Sequence, residues 1–177
     1  MFLDPQKIVQ QIGLVPEMQI VDIGSGIGTF AMAMSPYIGN TGTIYAFDIL
    51  PHVITRLTND IAERGITNIT PLVGDIEHNN GIILESGIID MVFCANVFFQ
   101  ISDKQTVVRE ISRILKPNGK LVVIDWIDSF SGMGPHRDAV ISPEMITDLV
   151  TASGFILVSD LGNTGDHHFG KIFQKLM

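Results

Sequence analysis

A glycine-rich segment near the N-terminus carries the strongest chemical signal in this sequence. Glycines alternate with other residues at positions 24, 26 and 28, directly after the apolar run Gln19–Ile23, which contains Asp22. Glycine lets a backbone turn sharply and come close to a bound molecule. A helix that starts after such a turn presents free N–H groups to an anionic group. The segment therefore predicts a strand, a binding turn and a helix that together hold a nucleotide-like ligand.

Two further carboxylates follow later apolar runs in the same way. Asp48 comes directly after residues 42–47, and Asp75 comes two residues after residues 69–73. An ionised carboxylate is an acceptor that can hold two donors, such as the two hydroxyls of a ribose. Asp48 by itself does not separate classes of ligand, because folds that bind NAD also place an acid at this position.

The spacing of the glycines separates two ligand classes. A dinucleotide fingerprint that begins at Gly24 requires glycine or alanine at position 29, where this chain has Thr29. The pattern D-x-G-x-G-x-G, which starts at Asp22, instead resembles the first motif of class I S-adenosylmethionine-dependent methyltransferases. The resemblance extends over nearly the whole chain and includes the segment from Arg113 to Leu121, which is similar to the family's helix, turn and fifth strand.

This resemblance implies S-adenosylmethionine as the cofactor and assigns roles to individual residues. The glycine segment would hold the cofactor, Asp48 the ribose hydroxyls, and Asp75 the adenine amino group. Ile49 and Ile76 would enclose the adenine ring, and Asn96 would lie near the methionine part. The predicted cofactor-binding residues are Asp22, Gly24, Ser25, Gly26, Gly28, Asp48, Ile49, Gly74, Asp75, Ile76 and Asn96.

The order of apolar runs and helical patterns predicts the elements that position these residues. Short runs rich in isoleucine and valine indicate buried strands, and helical patterns separate most of them. Such alternation is typical of a parallel sheet with helices on both faces. The resemblance implies an α/β, three-layer Rossmann-like sandwich with a mostly parallel seven-stranded sheet, an antiparallel last strand and one domain over residues 1–177. The predicted strands are residues 19–23, 42–47, 69–73, 88–95, 119–125, 155–159 and 168–174.

Composition narrows the class of partner. The net charge is −8 with only 11 basic residues, which disfavours nucleic acid because binding to phosphates depends on Lys and Arg. Cys94 is the only cysteine, so the chain has no internal disulfide, and no signal peptide pattern is visible. The most apolar stretch, residues 81–101, contains Glu85 and Asp90 and predicts no membrane span. We expect a cytoplasmic protein, and a homodimer remains open.

Methyl transfer to a hydroxyl or an acidic carbon also needs a base. Our first candidate is His136, because it lies in a glycine-containing segment beside Arg137, which could pair with an anionic substrate. Other acids and histidines are expected near the same strand ends, and their spacing matches no metal signature. These further candidates are Asp125, Asp128, His167 and His168.

The predicted acceptor is a small molecule of apolar or aromatic character. Aromatic and methionine side chains cluster around the predicted strand ends and the irregular segment 128–141, which could accommodate such a ring. Two other functions stay open at this point: an NAD-dependent oxidoreductase and a non-catalytic module that binds S-adenosylmethionine. The clustered side chains are Phe98, Phe99, Trp126, Phe130 and Met133.

Overall fold

Seven strands form one sheet in the part of the chain that the computed structural model describes, residues 3–78, 81–129 and 134–177. Their order across the sheet is β3-β2-β1-β4-β5-β7-β6, and strands β1 to β5 pair in parallel. The strands are β1 (Gln19–Ile23), β2 (Thr43–Asp48), β3 (Ile69–Val73), β4 (Ile89–Ala95), β5 (Leu115–Trp126), β6 (Phe155–Asp160) and β7 (His168–Lys175).

Helices cover both faces of this sheet. Buried residues of α1, α2 and α3 pack in one apolar cluster, and buried residues of α4 and α5 pack in another on the opposite face. The central strands are buried on both faces, which explains their continuous apolar composition. The predicted three-layer architecture is therefore confirmed. The helices are α1 (Pro5–Val9), α2 (Thr29–Ile38), α3 (Pro51–Glu63), α4 (Lys104–Ile114) and α5 (Pro143–Thr151).

The last strand runs against the others, as the sequence predicted. β7 lies between β5 and β6 and pairs antiparallel with both of them. A connection without a helix joins β6 to β7, and strands joined in this way pair antiparallel. This insertion of β7 brings the loop before it next to the end of β5.

Capping side chains mark the starts of two helices. The Asp103 carboxylate accepts a hydrogen bond from the Thr106 N–H at 3.0 Å at the start of α4. Ser142 accepts one from the Met145 N–H at 3.2 Å at the start of α5, where a proline follows the cap. These side chains satisfy N–H groups that the first turn of a helix leaves without partners.

The fifth strand differs from its predicted bounds. It begins at Leu115, directly after α4, whereas the sequence predicted a turn up to residue 118 and a strand from 119. The ladder with β4 shifts register between the Ile89 and Met91 pairs, and Asn118 has a φ of 63°. The predicted turn is thus an irregularity inside the strand, and Asn118 occupies its left-handed position.

Within the described residues, no helix combines the length and the apolarity that crossing a bilayer requires.

Candidate functional site

A cavity of about 350 Å³ opens at the carboxyl edge of the sheet. The strand order reverses at β1, because β2 and β3 lie on one side of it and β4 lies on the other. Open α/β sheets bind ligands in the crevice beyond the strand ends at such a reversal. The volume lies in the range of roughly 300–1,000 Å³ that is usual for small-molecule sites. Residues lining the cavity include Ile23, Gly24, Gly26, Phe47, Asp48, Ile49, Leu50, Val53, Gly74, Asp75, Ile76, Glu77, Asn96, Val97, Gln100 and Ile101.

The glycine turn forms one wall of this cavity and depends on the absence of side chains. All three glycines have positive φ values, 66° at Gly24, 54° at Gly26 and 81° at Gly28. A Cβ atom at Gly24 would lie 2.4 Å from Cγ2 of Val97, in the loop after β4. At Gly26 no atom lies within 4 Å of a Cβ position, so this part of the turn faces open space.

We expect Gly28→Ala to destabilise the protein more than Gly26→Ala. Both substitutions force alanine into a left-handed conformation, which costs about 1 kcal/mol. At Gly28 the new methyl group would also lie 2.3 Å from Cδ1 of the fully buried Leu57. Moving Leu57 adds an overpacking penalty, for a total of about 2–3 kcal/mol. Urea denaturation of both variants would measure the difference, and equal loss in the two would show that Leu57 moves aside without penalty.

Asp48 lies beside the glycine turn, at the end of β2. Its Oδ2 accepts a hydrogen bond from the Gly26 N–H at 3.0 Å, and its Oδ1 accepts one from the Leu50 N–H at 3.0 Å. These two bonds fix the carboxylate at the cavity wall. An ionised carboxylate has about four lone-pair sites, so it retains acceptor capacity for ligand hydroxyls.

Asp75 lies at the same edge, next to Asp48. The Gly74 N–H donates to the Asp48 carbonyl at 3.1 Å, which ties the ends of β2 and β3 together. Asp75 Oδ1 accepts from the Glu77 N–H at 3.0 Å, and its Oδ2 lies 3.3 Å from His78 Nε2. The structure therefore places Asp48 and Asp75 around one cavity with the glycine turn, and Ile49 and Ile76 add apolar surface between them.

Asn96 lines the cavity at the end of β4 with an unusual conformation. Its φ is 60°, a left-handed value that asparagine tolerates better than most residues. Its side-chain Oδ1 is buried and has no hydrogen-bond partner within the described residues. The backbone N–H of Asn96 donates to the Ile124 carbonyl at 2.9 Å and fixes the residue against β5. A buried amide oxygen without a partner is an acceptor for a donor on a bound molecule.

Three of the predicted cofactor residues do not line the cavity. Gly28 packs on α3, and the Ser25 hydroxyl is buried under the turn without a hydrogen-bond partner in the described part of the chain. Asp22 is 2% exposed, and its Oδ2 also has no such partner. Burial raises the pKa of Asp22 to about 8, and repulsion from Asp48 adds to this, although a hydrogen bond from the Ala31 N–H opposes it. These three residues therefore pack behind the glycine turn and stabilise it, and they do not form the cavity surface.

The predicted base, His136, lies away from this cavity. Its side chain is 82% exposed, and its Nδ1 faces Asp138 of the same turn at 3.3 Å. Asp125, another candidate base, is fully buried and accepts a hydrogen bond from the Phe99 N–H at 3.3 Å. Burial raises the pKa of Asp125 to about 6. Asp125 therefore supports the loop after β4, which carries several residues of the cavity.

The predicted aromatic cluster is only partly described. Phe98 is fully buried in the core, and the Trp126 ring contacts the His168 ring at a tilt of 41°, with centroids 4.1 Å apart. Phe130 and Met133 lie outside the described residues. The grouping of all five side chains therefore stays a prediction.

Sequence analysis missed Glu77, which links two walls of the cavity. Its Oε2 accepts hydrogen bonds from the N–H groups of Ser102 and Asp103 at 2.9 and 3.1 Å, at the start of α4. No local pattern identifies this role, because the partners are 25 and 26 residues away.

The described residues contain no group of three or more metal-ligating side chains.

Comparison with known proteins gives a consistent family match. Residues 14–161 match a family described as a methyltransferase domain. A ubiquinone/menaquinone biosynthesis C-methyltransferase of Laribacter hongkongensis is 27% identical over 71% of this chain and 50% of its own length. A glycine/sarcosine/dimethylglycine N-methyltransferase of Actinopolyspora halophila is 26% identical over 97% of this chain and 32% of its own length. The chain thus spans half the length of the first of these curated relatives and about a third of the second.

Solved structures share the same fold. A methyltransferase of Aquifex aeolicus that depends on S-adenosylmethionine has a TM-score of 0.89, with 24% identity, and the match covers 99% of this chain and 91% of that one. The cyclase SpnF has a TM-score of 0.81 and 15% identity, and the match covers 97% of this chain and 80% of that one. At these identities the structural likeness establishes the fold, and chemistry has to be argued from the site.

Proposed function

Because this chain belongs to the methyltransferase family that residues 14–161 match, we propose that it transfers a methyl group from S-adenosylmethionine to a small-molecule acceptor. The family is the class I, S-adenosylmethionine-dependent type, and S-adenosylmethionine is its cofactor. This assignment replaces the alternative of an NAD-dependent oxidoreductase. The transfer activity of this chain and its acceptor are the proposal.

One observation carries the proposal: Asp48, Asp75 and the glycine turn surround a single cavity of about 350 Å³. The residues fit an adenosine-containing cofactor. Two carboxylates on the rim can accept hydrogen bonds from ribose hydroxyls and an adenine amino group. Exposed Ile49 and partly buried Ile76 provide apolar surface for a planar base between them.

The buried Asn96 Oδ1, for which the described part of the chain supplies no hydrogen-bond partner, gives an independent test of this fit. It lies across the cavity from Asp75, since Asn96 follows β4 while Asp75 follows β3, and β2 and β1 separate these strands. An elongated ligand would therefore span the strand ends from Asp75 past Asp48 to Asn96. The positively charged ammonium group of the cofactor's methionine part is a donor of the kind that a buried amide oxygen needs.

The chemistry needs alignment more than activation by the protein. Bound S-adenosylmethionine supplies a methyl group that is already activated by its positively charged sulfur. The residues of this chain hold the cofactor, exclude water and place the acceptor in line, and such positioning lowers the barrier substantially. The buried strand ends and the anchored loop after β4 give the rigidity that this requires.

A small acceptor is supported by the relatives and by the chain itself. The relatives include enzymes named for C-methylation in quinone biosynthesis, for N-methylation of glycine derivatives and for methylation of arsenite. An arsenite acceptor is disfavoured, because arsenic(III) prefers thiolate ligands and Cys94, the only cysteine, is buried. The net charge of −8 disfavours a nucleic acid acceptor.

We expect the protein to bind S-adenosylhomocysteine and to transfer label from methyl-tritiated S-adenosylmethionine. Isothermal titration calorimetry with S-adenosylhomocysteine tests the cavity, and NADH serves as the control ligand. Incubation of the labelled cofactor with a deproteinised small-molecule cell extract tests transfer. Labelled product supports the enzyme, whereas binding without any product would favour a non-catalytic module. No heat with folded protein would contradict both.

A further inference from the structure

A paired histidine and aspartate lie beyond the cofactor cavity, at the same edge of the sheet. His167 Nδ1 lies 2.7 Å from Asp128 Oδ1. The Ile127 N–H donates to the His167 carbonyl at 2.9 Å, so the backbone also holds the two loops together. The His167 side chain is 20% exposed and that of Asp128 is 52% exposed. The pair is therefore held in place and still accessible to a small molecule.

An aromatic contact fixes the residue next to this pair. His168 lies opposite Trp126 in the β5–β7 ladder, and their rings contact each other at a tilt of 41°, with centroids 4.1 Å apart. A Cβ atom on Gly134 would lie 2.8 Å from the Trp126 ring, so this glycine packs closely on the indole. His168 is buried, and burial lowers its pKa, with a smaller effect from His167. This contact packs the first residue of β7 against Trp126, directly next to His167.

The pair has the geometry of a base with an orienting carboxylate. An ionised carboxylate only accepts hydrogen bonds, so the hydrogen between the two side chains belongs to Nδ1 of His167. A neutral imidazole with its hydrogen on Nδ1 has its lone pair on Nε2. Asp128 also stabilises the imidazolium that forms when Nε2 takes up a proton.

The position of the pair suits an acceptor that meets the cofactor. The cavity ends at Asn96 on β4, and the pair lies just past the ends of β5 and β7, the next two strands. Two strand spacings amount to about 10 Å, a distance that a small ring compound can bridge. A second cavity of about 300 Å³ has the Asp128 member of the pair in its lining. Residues that line it include Ile127, Asp128, Ser129, Arg137 and Val140.

We propose that His167, oriented by Asp128, accepts the proton of a small acceptor that is methylated on a hydroxyl oxygen. This inference rests on the proposed methyltransferase function. In the step, the acceptor oxygen forms a bond to the methyl carbon while the methyl–sulfur bond breaks and leaves its electron pair on sulfur. The hydroxyl proton moves to Nε2 of His167. The products are the methyl ether, neutral S-adenosylhomocysteine and a protonated His167 that later releases its proton to water.

The same geometry explains why His167 is a better base than His136. Asp138, whose Oδ2 lies 3.3 Å from His136 Nδ1, is in the same exposed turn and is 91% exposed itself. An exposed ion pair of this kind contributes little, because solvent screens it. His167 instead bonds a carboxylate from another element, 39 residues away, and is largely shielded from solvent.

His167→Asn and Asp128→Asn are the variants that test the proposal, with His52→Asn on the exposed face of α3 as a matched control. We expect His167→Asn to slow label transfer into the product that the wild type forms by roughly 10²–10⁴-fold, the usual contribution of a general base. S-adenosylhomocysteine should bind all variants with unchanged affinity in calorimetry. The rate of His167→Asn should keep rising with pH, because hydroxide then replaces the lost base.

A second readout does not depend on turnover. Nitrogen-15 NMR of the S-adenosylhomocysteine complex should show His167 with its hydrogen on Nδ1, and Asp128→Asn should shift the ring toward the other tautomer. In a pH titration of the His167 signals, the charged groups around the ring also have to be considered. These groups are Asp128, Asp166, His168 and Arg137.

The outcomes separate this inference from the function on which it rests. If the wild type transfers the label and His167→Asn is fully active, the inference is overturned and the proposed function stands. Loss of activity in His136→Asn, with His167→Asn unaffected, would overturn it in favour of the other histidine. A hydrogen on Nε2 in the NMR spectrum would also overturn it. Absence of any transfer by the wild type would overturn the proposed function, and the inference with it.

Discussion

Asp22→Asn is expected to remove a large pH-dependent penalty from the stability of the cofactor-free protein. Burial raises the pKa of Asp22 from 3.8 to about 8. The unfolded chain has an ordinary carboxyl, so between about pH 4 and about pH 8 the folded state binds more protons than the unfolded state. The contribution of Asp22 to the free energy of unfolding is therefore fully present below the pKa that it has in the unfolded chain. This contribution is lost as the pH rises toward the pKa of Asp22 in the folded protein.

The size of the effect follows from the displacement of the pKa. Each unit is worth about 1.4 kcal/mol, so ionisation of Asp22 opposes folding by on the order of 4–6 kcal/mol near pH 8. Asparagine resembles the protonated carboxyl in shape and carries no charge. The variant should be close to wild type near pH 4 and increasingly more stable above it.

Urea denaturation without cofactor at about pH 5 and at about pH 8 measures this difference. Asp125, whose pKa burial also raises, and His168, whose pKa burial lowers, contribute pH dependence of opposite sign. Both remain in the variant, so they cancel when its free energy of unfolding is compared with that of the wild type. Asp148→Asn, at an exposed position on α5, is the control and should follow the wild type. Parallel curves for Asp22→Asn and wild type would contradict the burial argument.

Asp48→Ala is expected to weaken S-adenosylhomocysteine binding by about 1.5–3 kcal/mol, or roughly tenfold to 150-fold. The variant loses the carboxylate that we assign to the ribose hydroxyls. It also loses the acceptor that holds the Gly26 N–H at 3.0 Å, so the glycine turn is less well fixed before the ligand binds. Asp48→Asn keeps one oxygen acceptor, so its affinity for S-adenosylhomocysteine should lie between those of Asp48→Ala and the wild type.

Calorimetric titration with S-adenosylhomocysteine measures these affinities. Asp60→Ala provides the control, since Asp60 forms only a long surface ion pair with Arg56 at 3.9 Å and lies on α3 away from the cavity residues. Its affinity should match that of the wild type. If Asp48→Ala retains full affinity as well, the ribose lies elsewhere and the orientation of the cofactor along the strand ends has to be revised.

Some parts of the site followed directly from local sequence. The left-handed φ values at Gly24, Gly26 and Gly28 are conformations that glycine adopts without penalty, so their spacing predicts the turn. The caps at Asp103 and Ser142 are equally local, because a cap side chain bonds an N–H only two or three residues ahead. The position of Asp48 at the end of a strand was predictable for the same reason.

Other parts could not be predicted, because they depend on which elements become neighbours. Asp22 belongs to the glycine motif, yet its side chain is buried under the turn, and only the packing of α2 on the sheet decides this. The bonds from Glu77 to the start of α4 also join segments that are far apart along the chain. The same holds for the buried Oδ1 of Asn96, because its lack of a hydrogen-bond partner among the described residues is a property of the surrounding packing.

The sequence by itself determined the order of strands and helices, the glycine turn and the acids at the ends of β2 and β3. Periodicity, capping and backbone preference act over a few residues, and the chain carries that information locally. Only the tertiary structure decided that His167 meets Asp128 and that His136 stays in solvent. The reason is the insertion of β7 between β5 and β6, which brings together loops 39 residues apart and which no short segment of the chain encodes.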